Sequence, residues 1–367
     1  MNLNKNRVLV GLSGGVDSST VAALLKDQGY EVIGITITSI KIEDSCKQDD
    51  RTNGCCNMKA IQDAMDVADE LGIEHHVIDL SEIFREKIIN NFISEYLKGR
   101  TPNPCTLCNP IIKWGEILKK ADSYDCQYYA TGHYANVRFD NHLNRYIISR
   151  GKDEIKDQSY FLWGLTQDQL SRTIFPLGNI EKEKTRSIAK EHNIPVFNKN
   201  DSQEICFVPT NDYKDFLISA QPELKEKFIN GDIVFDGMVV GKHRGFPFYT
   251  LGQRKGLGVS YHKPVYVKEI IPETNTIIIG TEEDILSMKL IAENLNMIKY
   301  INLDPQKDYN VKIRYRDKGS PAKAIINDDG LLEVCFLEPR KAITPGQSVV
   351  ICEGDDLVCG AVILSAS

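Results

Sequence analysis

Hydrophobic positions in the first half of the chain follow two alternating patterns. Short unbroken apolar runs recur at RVLVG (7–11), EVIGITI (31–37), EHHVIDL (74–80) and QYYATG (127–132). Such runs, bounded by glycine and turn residues, read as buried strands. Between them apolar residues return every three or four positions, which predicts helices with one face turned inward. The stretch NMKAIQDAMDVADELG places Ile61, Ala64, Met65, Ala68 and Leu71 on one face, and Gly72 closes it. Residues 82–98 repeat the pattern through Ile83, Phe84, Ile88, Phe92, Ile93 and Leu97. A Pro-rich loop, TPNPCTLCNP, separates them from a further helix around Ile112–Ala121. Strand–helix alternation at this spacing predicts an α/β fold with a doubly wound parallel sheet.

From about residue 231 the pattern changes to short strands punctuated by glycine: DIVFDG, MVVGKH, PFYTLG, PVYVKEI, NTIIIG, DYNVKIRYR, AKAIIN, LLEVCF, QSVVICEG and LVCGAVIL. That rhythm predicts two small β-barrel domains. The expected organisation is a catalytic domain over 1–211, a central β domain over 212–289 and a C-terminal β-barrel over 290–367, which suits a chain of 367 residues.

Charge alters this picture only locally. The net charge of −7 argues mildly against a nucleic-acid partner, yet residues 101–211 sum to +1. RNA contact depends on local positive patches. Two basic runs stand out: Lys312, Arg314, Arg316 and Lys318, and Lys242, His243, Arg244, Arg254 and Lys255. Each taken alone fits a solvated face equally well. The opening MNLNKNRVLVGL has no signal-peptide pattern, and no apolar run reaches the roughly 20 residues of a membrane helix. A cytoplasmic location is therefore expected, with the ten cysteines mostly reduced.

The candidate chemistry begins at Gly11-Leu12-Ser13-Gly14-Gly15-Val16-Asp17-Ser18, between the first strand and the first helix. Glycines let backbone N–H groups approach phosphates, and the helix N-terminus adds partial positive charge. No Gly-Lys-Ser/Thr follows, so this is not a Walker A loop, and it lacks the G-x-G-x-x-G spacing. It resembles the SGGxDS loop of the PP-loop ATP pyrophosphatases, which implies cleavage of ATP between the α and β phosphates. Asp17 matches that family's aspartate, with a role in metal or pyrophosphate handling.

Two cysteines have unusual surroundings. Cys108 follows the proline turn and precedes a helix, whose N-terminus would lower its thiol pKa. Cys206 lies in Asp201-Ser202-Gln203-Glu204-Ile205-Cys206-Phe207, among polar residues. The others, Cys46, Cys55, Cys56, Cys126, Cys335, Cys352 and Cys359, read as structural, the Cys55-Cys56 pair least clearly.

With GRTPNPCTLCN (99–109), ATGHY (130–134), KDQSYFL (156–162), EICFV (204–208), YTLGQRKGLG (249–258), KIRYR (312–316) and TPGQ (344–347), the chain resembles the tRNA-specific 2-thiouridylases nearly end to end. The resemblance implies ATP-dependent 2-thiolation of the wobble uridine of tRNA, with release of AMP and pyrophosphate. It implies ATP contacts at the phosphate loop, Ile37 and Gly132. Cys108 matches the family's nucleophile and Cys206 its persulfide-bearing cysteine. Asn103, Pro104 and Cys105 would approach the target base. His133, Lys156, Asp157, Gln158, Arg314, Tyr315 and Gln347 would contact tRNA. The expected partners are the tRNA anticodon stem-loop and a persulfide sulfur donor, with magnesium on the pyrophosphate.

Two departures matter. Ile37 stands where the family usually has Met, and still offers adenine an apolar wall. Cys105 stands where some members have Asp, which creates a Cys-x-x-Cys. Cys105, Cys108 and Cys206 could then hold a [4Fe–4S] cluster with one open iron, a second route to the same thiolation. The competing classes are a small-molecule ligase or amidotransferase-type synthetase on the same loop, which would need neither cysteine, and a non-catalytic tRNA-binding protein, which leaves the loop unexplained.

Overall fold

The computed structural model describes residues 3–39, 58–201, 205–208 and 212–367. Cys46, Cys55 and Cys56, and the Ser202-Gln203-Glu204 part of the Cys206 motif, lie outside these residues. The chain divides into two compact units. One comprises Met1–Ile88, Cys105–Asn211 and Asp355–Leu357; the other comprises Ile89–Pro104, Asp212–Gly354 and Val358–Ser367.

In the first unit the apolar runs form the expected parallel sheet. Its strands are β1 (Asn4–Gly11), β2 (Glu31–Thr38), β3 (Glu74–Asp79), β4 (Cys126–Ala130) and, beyond the hairpin β5 (Ala135–Asp140) and β6 (Arg145–Arg150), β7 (Thr173–Ile174). Their order is β3-β2-β1-β4-β7, and every pairing among them is parallel. The β5–β6 hairpin was not legible in the periodicity. Helix Val16–Asp27 buries Val21, Ala22 and Leu25 against the sheet residues Val8 and Val10. It stops at Gly29, whose φ of +87° is the left-handed conformation that glycine adopts without penalty. Helix Met58–Leu71 packs through Ala64, Val67, Ala68 and Leu71. Met65 was expected on this face but is exposed, because the buried stripe is centred on Ala64, Ala68 and Leu71 and Met65 falls outside it.

The second unit holds two β structures. One is a four-stranded sheet of β8 (Gly231–Phe235), β9 (Met238–His243), β10 (Tyr266–Ile271) and β11 (Thr276–Gly280), ordered β10-β11-β8-β9. Asp236 and Gly237, both at positive φ, form the two-residue turn that joins β8 to β9. The other is a closed six-stranded barrel of β12 (Leu286–Met297), β13 (Tyr309–Lys312), β14 (Ser320–Ile326), β15 (Leu332–Lys341), β16 (Ser348–Glu353) and β17 (Asp356–Ala366). Its ring order is β12-β15-β14-β13-β16-β17, and pairing of β12 with β17 closes it. Alternate residues fill it, among them Ala322, Ala324, Leu332, Val334 and Phe336.

Two sequence expectations need correction. PFYTLG is not a strand: Phe246–Phe248 is a single 3-10 turn following Gly245 at φ 134°, and Pro247 has no N–H to give a ladder. The strand read in DYNVKIRYR ends at Lys312, and the remainder is a turn. Among the described residues no helix is long and apolar enough to cross a membrane.

Candidate active site

The strand order reverses between β1 and β4, so the carboxyl ends of these two strands flank a switch point of the sheet. Open α/β sheets bind ligands there. Gly11 to Ser18 leave the end of β1, Gly132 follows the end of β4, and Ile37 lies near the end of β2, half-buried opposite Ile78. The fold thus brings the expected nucleotide residues to one edge.

The loop is held by its own polar groups. Leu12 N–H donates to Ile35 O at 2.8 Å and Thr36 Oγ1 donates to Leu12 O at 2.8 Å. Ser13 N–H donates to Ser18 Oγ at 3.1 Å, and Ser18 Oγ donates to Gly15 O at 3.2 Å. Gly14 has φ +67°, and a Cβ there would lie 2.3 Å from Ala60 O, so position and conformation both demand glycine. A Cβ on Gly132 would lie 2.9 Å from Ser18 N and 3.0 Å from Asp17. Gly15 caps helix Val16–Asp27 without a side-chain bond, which leaves the first-turn amides to an anion. Ser13 is exposed at the loop's tip.

Beside the loop lies a chain of charges that sequence reasoning did not find. Lys182 Nζ donates to Asp17 Oδ1 at 2.6 Å and Oδ2 at 2.8 Å, and pairs with Asp201 Oδ1 at 2.7 Å. Asp201 also takes Lys156 at 2.6 Å and Arg186 at 3.0 Å. Tyr134 Oη donates to Asp17 Oδ1 at 2.9 Å, and Lys199 Nζ reaches Gly14 O at 2.8 Å and Asp63 at 2.6 Å. Lys182 is only 8% exposed. A signal existed: Lys182, Thr185, Ile188 and Ala189 fall on the buried face of helix Lys182–Glu191.

Burial alone would raise the Asp201 carboxyl, but hydrogen bonds from Lys156 and Lys182 outweigh it and hold the group below its usual 3.8. Such a group adds stability above its unfolded pKa and loses it as pH falls through the lower folded value. Asp201→Asn is therefore expected to destabilise the protein at pH 7, and the difference from wild type should shrink as pH drops below 3.8. Urea denaturation at both pH values reads this out; a constant difference would show that ionisation is not involved.

The other candidates of this unit fall around the same centre. Asp157 is buried and accepts from Gly151 N–H and Ser159 N–H, each at 3.1 Å, so it organises a turn. Gln158 Oε1 accepts from Tyr134 N–H at 3.1 Å and braces the tyrosine that touches Asp17. His133 is half-buried beside Trp114 and Phe175, with Nδ1 2.6 Å from Thr131 Oγ1. Burial and the Lys113 charge push its pKa well down, so the ring is neutral near pH 7. Lys156, Asp157 and Gln158 thus all have partners inside the unit.

Cys105 is exposed, while Cys108 and Cys206 are half-buried. Cys108 was expected just ahead of a helix. Instead the helix begins earlier, at Pro104, and Cys108 ends its Pro104–Cys108 turn, where wider π-type turns take over at Asn109–Glu116. Such turns recur at functional sites. Burial, and then the charge of Cys108, raise the pKa of Tyr129. A Cβ on Gly11 would lie 2.6 Å from Tyr129 Oη, so Tyr129 ties the surroundings of Cys108 to the first residue of the phosphate loop. Phe207 packs edge-on against Phe84 at 5.7 Å. Cys126, Cys352 and Cys359 are buried, and burial pushes the Cys126 thiol up to about 12, which makes it a poor nucleophile. Among the described residues no three His, Cys, Asp or Glu side chains gather as a metal-binding group. Cys105, Cys108 and Cys206 therefore do not fit an iron–sulfur cluster in this arrangement.

In the β-rich unit, Arg314, Arg316 and Lys318 are exposed on the turn from β13 to β14, with Tyr315 half-buried among them. Asp317 fixes that turn by accepting from Ile313 N–H and Gly319 N–H, each at 3.1 Å, and from Arg340 at 2.7 and 2.8 Å. Lys312 is buried at its root. Of the second basic run, Arg244, Arg254 and Lys255 are exposed, and Lys242 pairs with Asp232. His243 does not belong to a basic face: it is buried, bonded to Gly245 N–H at 3.0 Å, and its pKa is lowered by burial. Asn103 is half-buried, Pro104 buried, and the half-buried Gln347 bonds back to the loop that carries them.

Family models cover nearly the whole chain. One described as a tRNA methyl transferase HUP domain matches residues 6–210, one described as a tRNA methyl transferase PRC-barrel domain matches 214–281, and one described as an aminomethyltransferase beta-barrel domain matches 287–363. The tRNA-specific 2-thiouridylase MnmA of Salinibacter ruber is 49% identical over 97% of this chain and 94% of its own length. Its namesakes from Natranaerobius thermophilus and Cytophaga hutchinsonii are 47% and 48% identical, each over 99% of this chain and 98% of their own. The model descriptions speak of methyl transfer and the relatives' names of thiolation. By the extent and identity of these matches, the chain belongs to the tRNA-specific 2-thiouridylase family.

Proposed function

We propose that the protein activates O2 of a wobble uridine in tRNA with ATP and replaces that oxygen by sulfur carried on Cys206. Uracil C2 is a poor electrophile because its oxygen leaves badly. Attack of O2 on the α-phosphorus forms a C–O–P bond, breaks the α–β bridge and releases pyrophosphate. The terminal sulfur of a Cys206 persulfide then attacks C2, and the C2–O bond breaks with its electron pair leaving on AMP. The Cys108 thiolate attacks Cys206 Sγ, the S–S bond to the transferred sulfur breaks, and 2-thiouridine departs with that electron pair. A Cys108–Cys206 disulfide remains, and a dithiol reductant resets it. The sulfur comes from a persulfide donor protein, and the reaction belongs to the cytoplasm.

The chain's own residues divide the work. The loop amides from Gly11 to Ser18 bind the phosphates, Gly132 leaves space over the helix N-terminus, and Ile37 walls the adenine. Asp17 would hold magnesium, which would screen the charge on pyrophosphate. Lys182 moves its ammonium from Asp17 to the departing pyrophosphate. No step runs through iron.

The observation that carries this reading is the continuous link Asp17–Lys182–Asp201. It ties the phosphate loop to a segment that reaches Cys206 five residues later. A small-molecule ligase on the same loop would have no use for a cysteine on that segment. The test is incubation of unmodified tRNA with ATP and a persulfide donor, followed by mass spectrometry of the nucleosides. One 2-thiouridine should appear for each AMP and each pyrophosphate. AMP without thiolated uridine would sink the proposal.

RNA contact should be chiefly electrostatic. Arg314→Ala, at the exposed basic turn, is expected to weaken tRNA binding several-fold. It should also lower the log–log salt slope by about 1, as one lost phosphate contact would. ATP binding should not change. Filter binding at several salt concentrations decides this, and an unaltered slope would remove Arg314 from the RNA contacts.

A further inference from the structure

Two successive glycines, Gly14 and Gly15, flank one peptide of the phosphate loop. No Cβ on either side resists rotation of that peptide, so local sterics leave its direction open. Direction matters there. The peptide is trans, and in a planar trans unit the carbonyl and the N–H point opposite ways. Whatever holds the Gly14 carbonyl therefore also aims the Gly15 N–H. Gly15 stands just before helix Val16–Asp27, where amides without a helical partner can meet an anion. Among the described residues none accepts a hydrogen bond from this N–H.

The group that holds the carbonyl is Lys199. Its Nζ donates to Gly14 O at 2.8 Å and to Asp63 Oδ2 at 2.6 Å. Asp63 belongs to helix Met58–Leu71, whose Ala60 carbonyl packs so closely on Gly14 that a Cβ there would meet it at 2.3 Å. One helix thus backs the glycine and anchors the ammonium that holds its carbonyl. The lysine is itself tied down. Arg186 donates to Lys199 O and to Phe197 O, each at 2.9 Å, and Lys199 N–H donates to Val196 O at 2.9 Å. All of these residues lie in the first compact unit. The Leu12–Ser13 peptide of the same loop follows the same logic: Thr36 takes Leu12 O, and Ser13 N–H goes the other way, to Ser18 Oγ.

We infer that Lys199 is a positioning residue for the phosphates of the nucleotide: by holding Gly14 O it turns Gly15 N–H toward the site they occupy. Its ammonium is engaged by the carbonyl and by Asp63, so it serves the loop and does not touch the phosphates. The inference rests on the ATP reading of the loop, and not on the sulfur chemistry.

The experiment measures the Kd of ATP and of adenosine for wild type, Lys199→Met and Asp63→Leu by calorimetry. Lys199→Met keeps the reach of the side chain and loses the donor. Its Kd for ATP should rise about tenfold, the scale of one amide hydrogen bond to a charged phosphate, while that for adenosine, which has no phosphate, stays within about twofold. Asp63→Leu removes a negative charge beside the loop, so on charge alone it would tighten ATP binding. The inference expects the reverse, a Kd for ATP roughly threefold higher or more, because Lys199 loses the carboxylate that holds it against Gly14 O. An unchanged Kd for ATP in Lys199→Met, or an equal loss for adenosine, would overturn the inference. So would an Asp63→Leu protein that binds ATP as well as wild type or better, since Lys199 would then contact the phosphates directly. Should Lys199→Met fail to fold, the comparison of ATP with adenosine on Asp63→Leu decides alone. Wild type that binds ATP but never thiolates tRNA would defeat the proposed function and not this inference, whereas wild type that binds no ATP would defeat both.

Discussion

Lys182→Met is expected to lower the rate of AMP and pyrophosphate formation by about 10²–10³-fold, the usual scale for removing one charge-stabilising group from a transition state. Phosphoryl transfer asks the protein mainly for position and charge, because the negative charge builds on oxygens that must then leave. Lys182 is suited to that task. Its ammonium is almost buried and lies 2.6 Å from Asp17, in the first turn of the phosphate-loop helix. Two carboxylates hold it there, and both stay paired if it turns away: Tyr134 remains on Asp17, and Lys156 and Arg186 remain on Asp201. Lys182→Arg keeps the charge but not the compact shape, so partial activity is expected. The objection is that Lys182→Met leaves two carboxylates short of a partner and simply loosens the fold. The double variant Lys182→Met with Asp201→Asn answers it by rebalancing the charge. Recovery of stability with activity still lost supports the catalytic role; recovery of both would make Lys182 structural.

How much of this was legible in the sequence depended on what each residue must satisfy. The phosphate loop was legible because Gly14 and Gly132 leave room only for hydrogen, and no other residue type survives there. The parallel sheet was legible because strands buried on both faces read as unbroken apolar runs. The strand Leu286–Met297 was not: its burial alternates weakly, and it gains its partners only when the barrel closes on β15 and β17. Lys182 was hidden in EKEKTR, where alternating charges look like a solvated helix. Only the packing of that helix shows that one of its lysines turns inward. The polar tripeptide Lys156-Asp157-Gln158 looks like a surface for RNA, and the sequence alone did not show that its side chains also have partners within the unit, in Asp201, the Gly151–Ser159 turn and Tyr134.

The two cysteines of the reaction should fail in different ways when removed singly. Cys206→Ser is expected to accept no persulfide sulfur and to thiolate no tRNA, a complete loss. Cys108→Ser should load sulfur normally yet release no 2-thiouridine, because nothing remains to break the S–S bond to Cys206. The transferred sulfur would then stay shared between C2 and Cys206, and a covalent protein–tRNA species sensitive to dithiothreitol should accumulate. Among the described cysteines, Cys108, Cys206 and Cys335 are half-buried and Cys105 is exposed, whereas Cys126, Cys352 and Cys359 are buried. Cys126→Ser and Cys359→Ser are therefore the controls, expected to cost stability but to keep the persulfide step. Labelled sulfur followed on the protein and on tRNA separates the stages. A Cys108→Ser enzyme that turns over repeatedly without added thiol would remove the resolving step, and a Cys206→Ser enzyme that still carries labelled sulfur to tRNA would move the persulfide to another thiol, with Cys105, exposed and three residues before Cys108, the next to be tested.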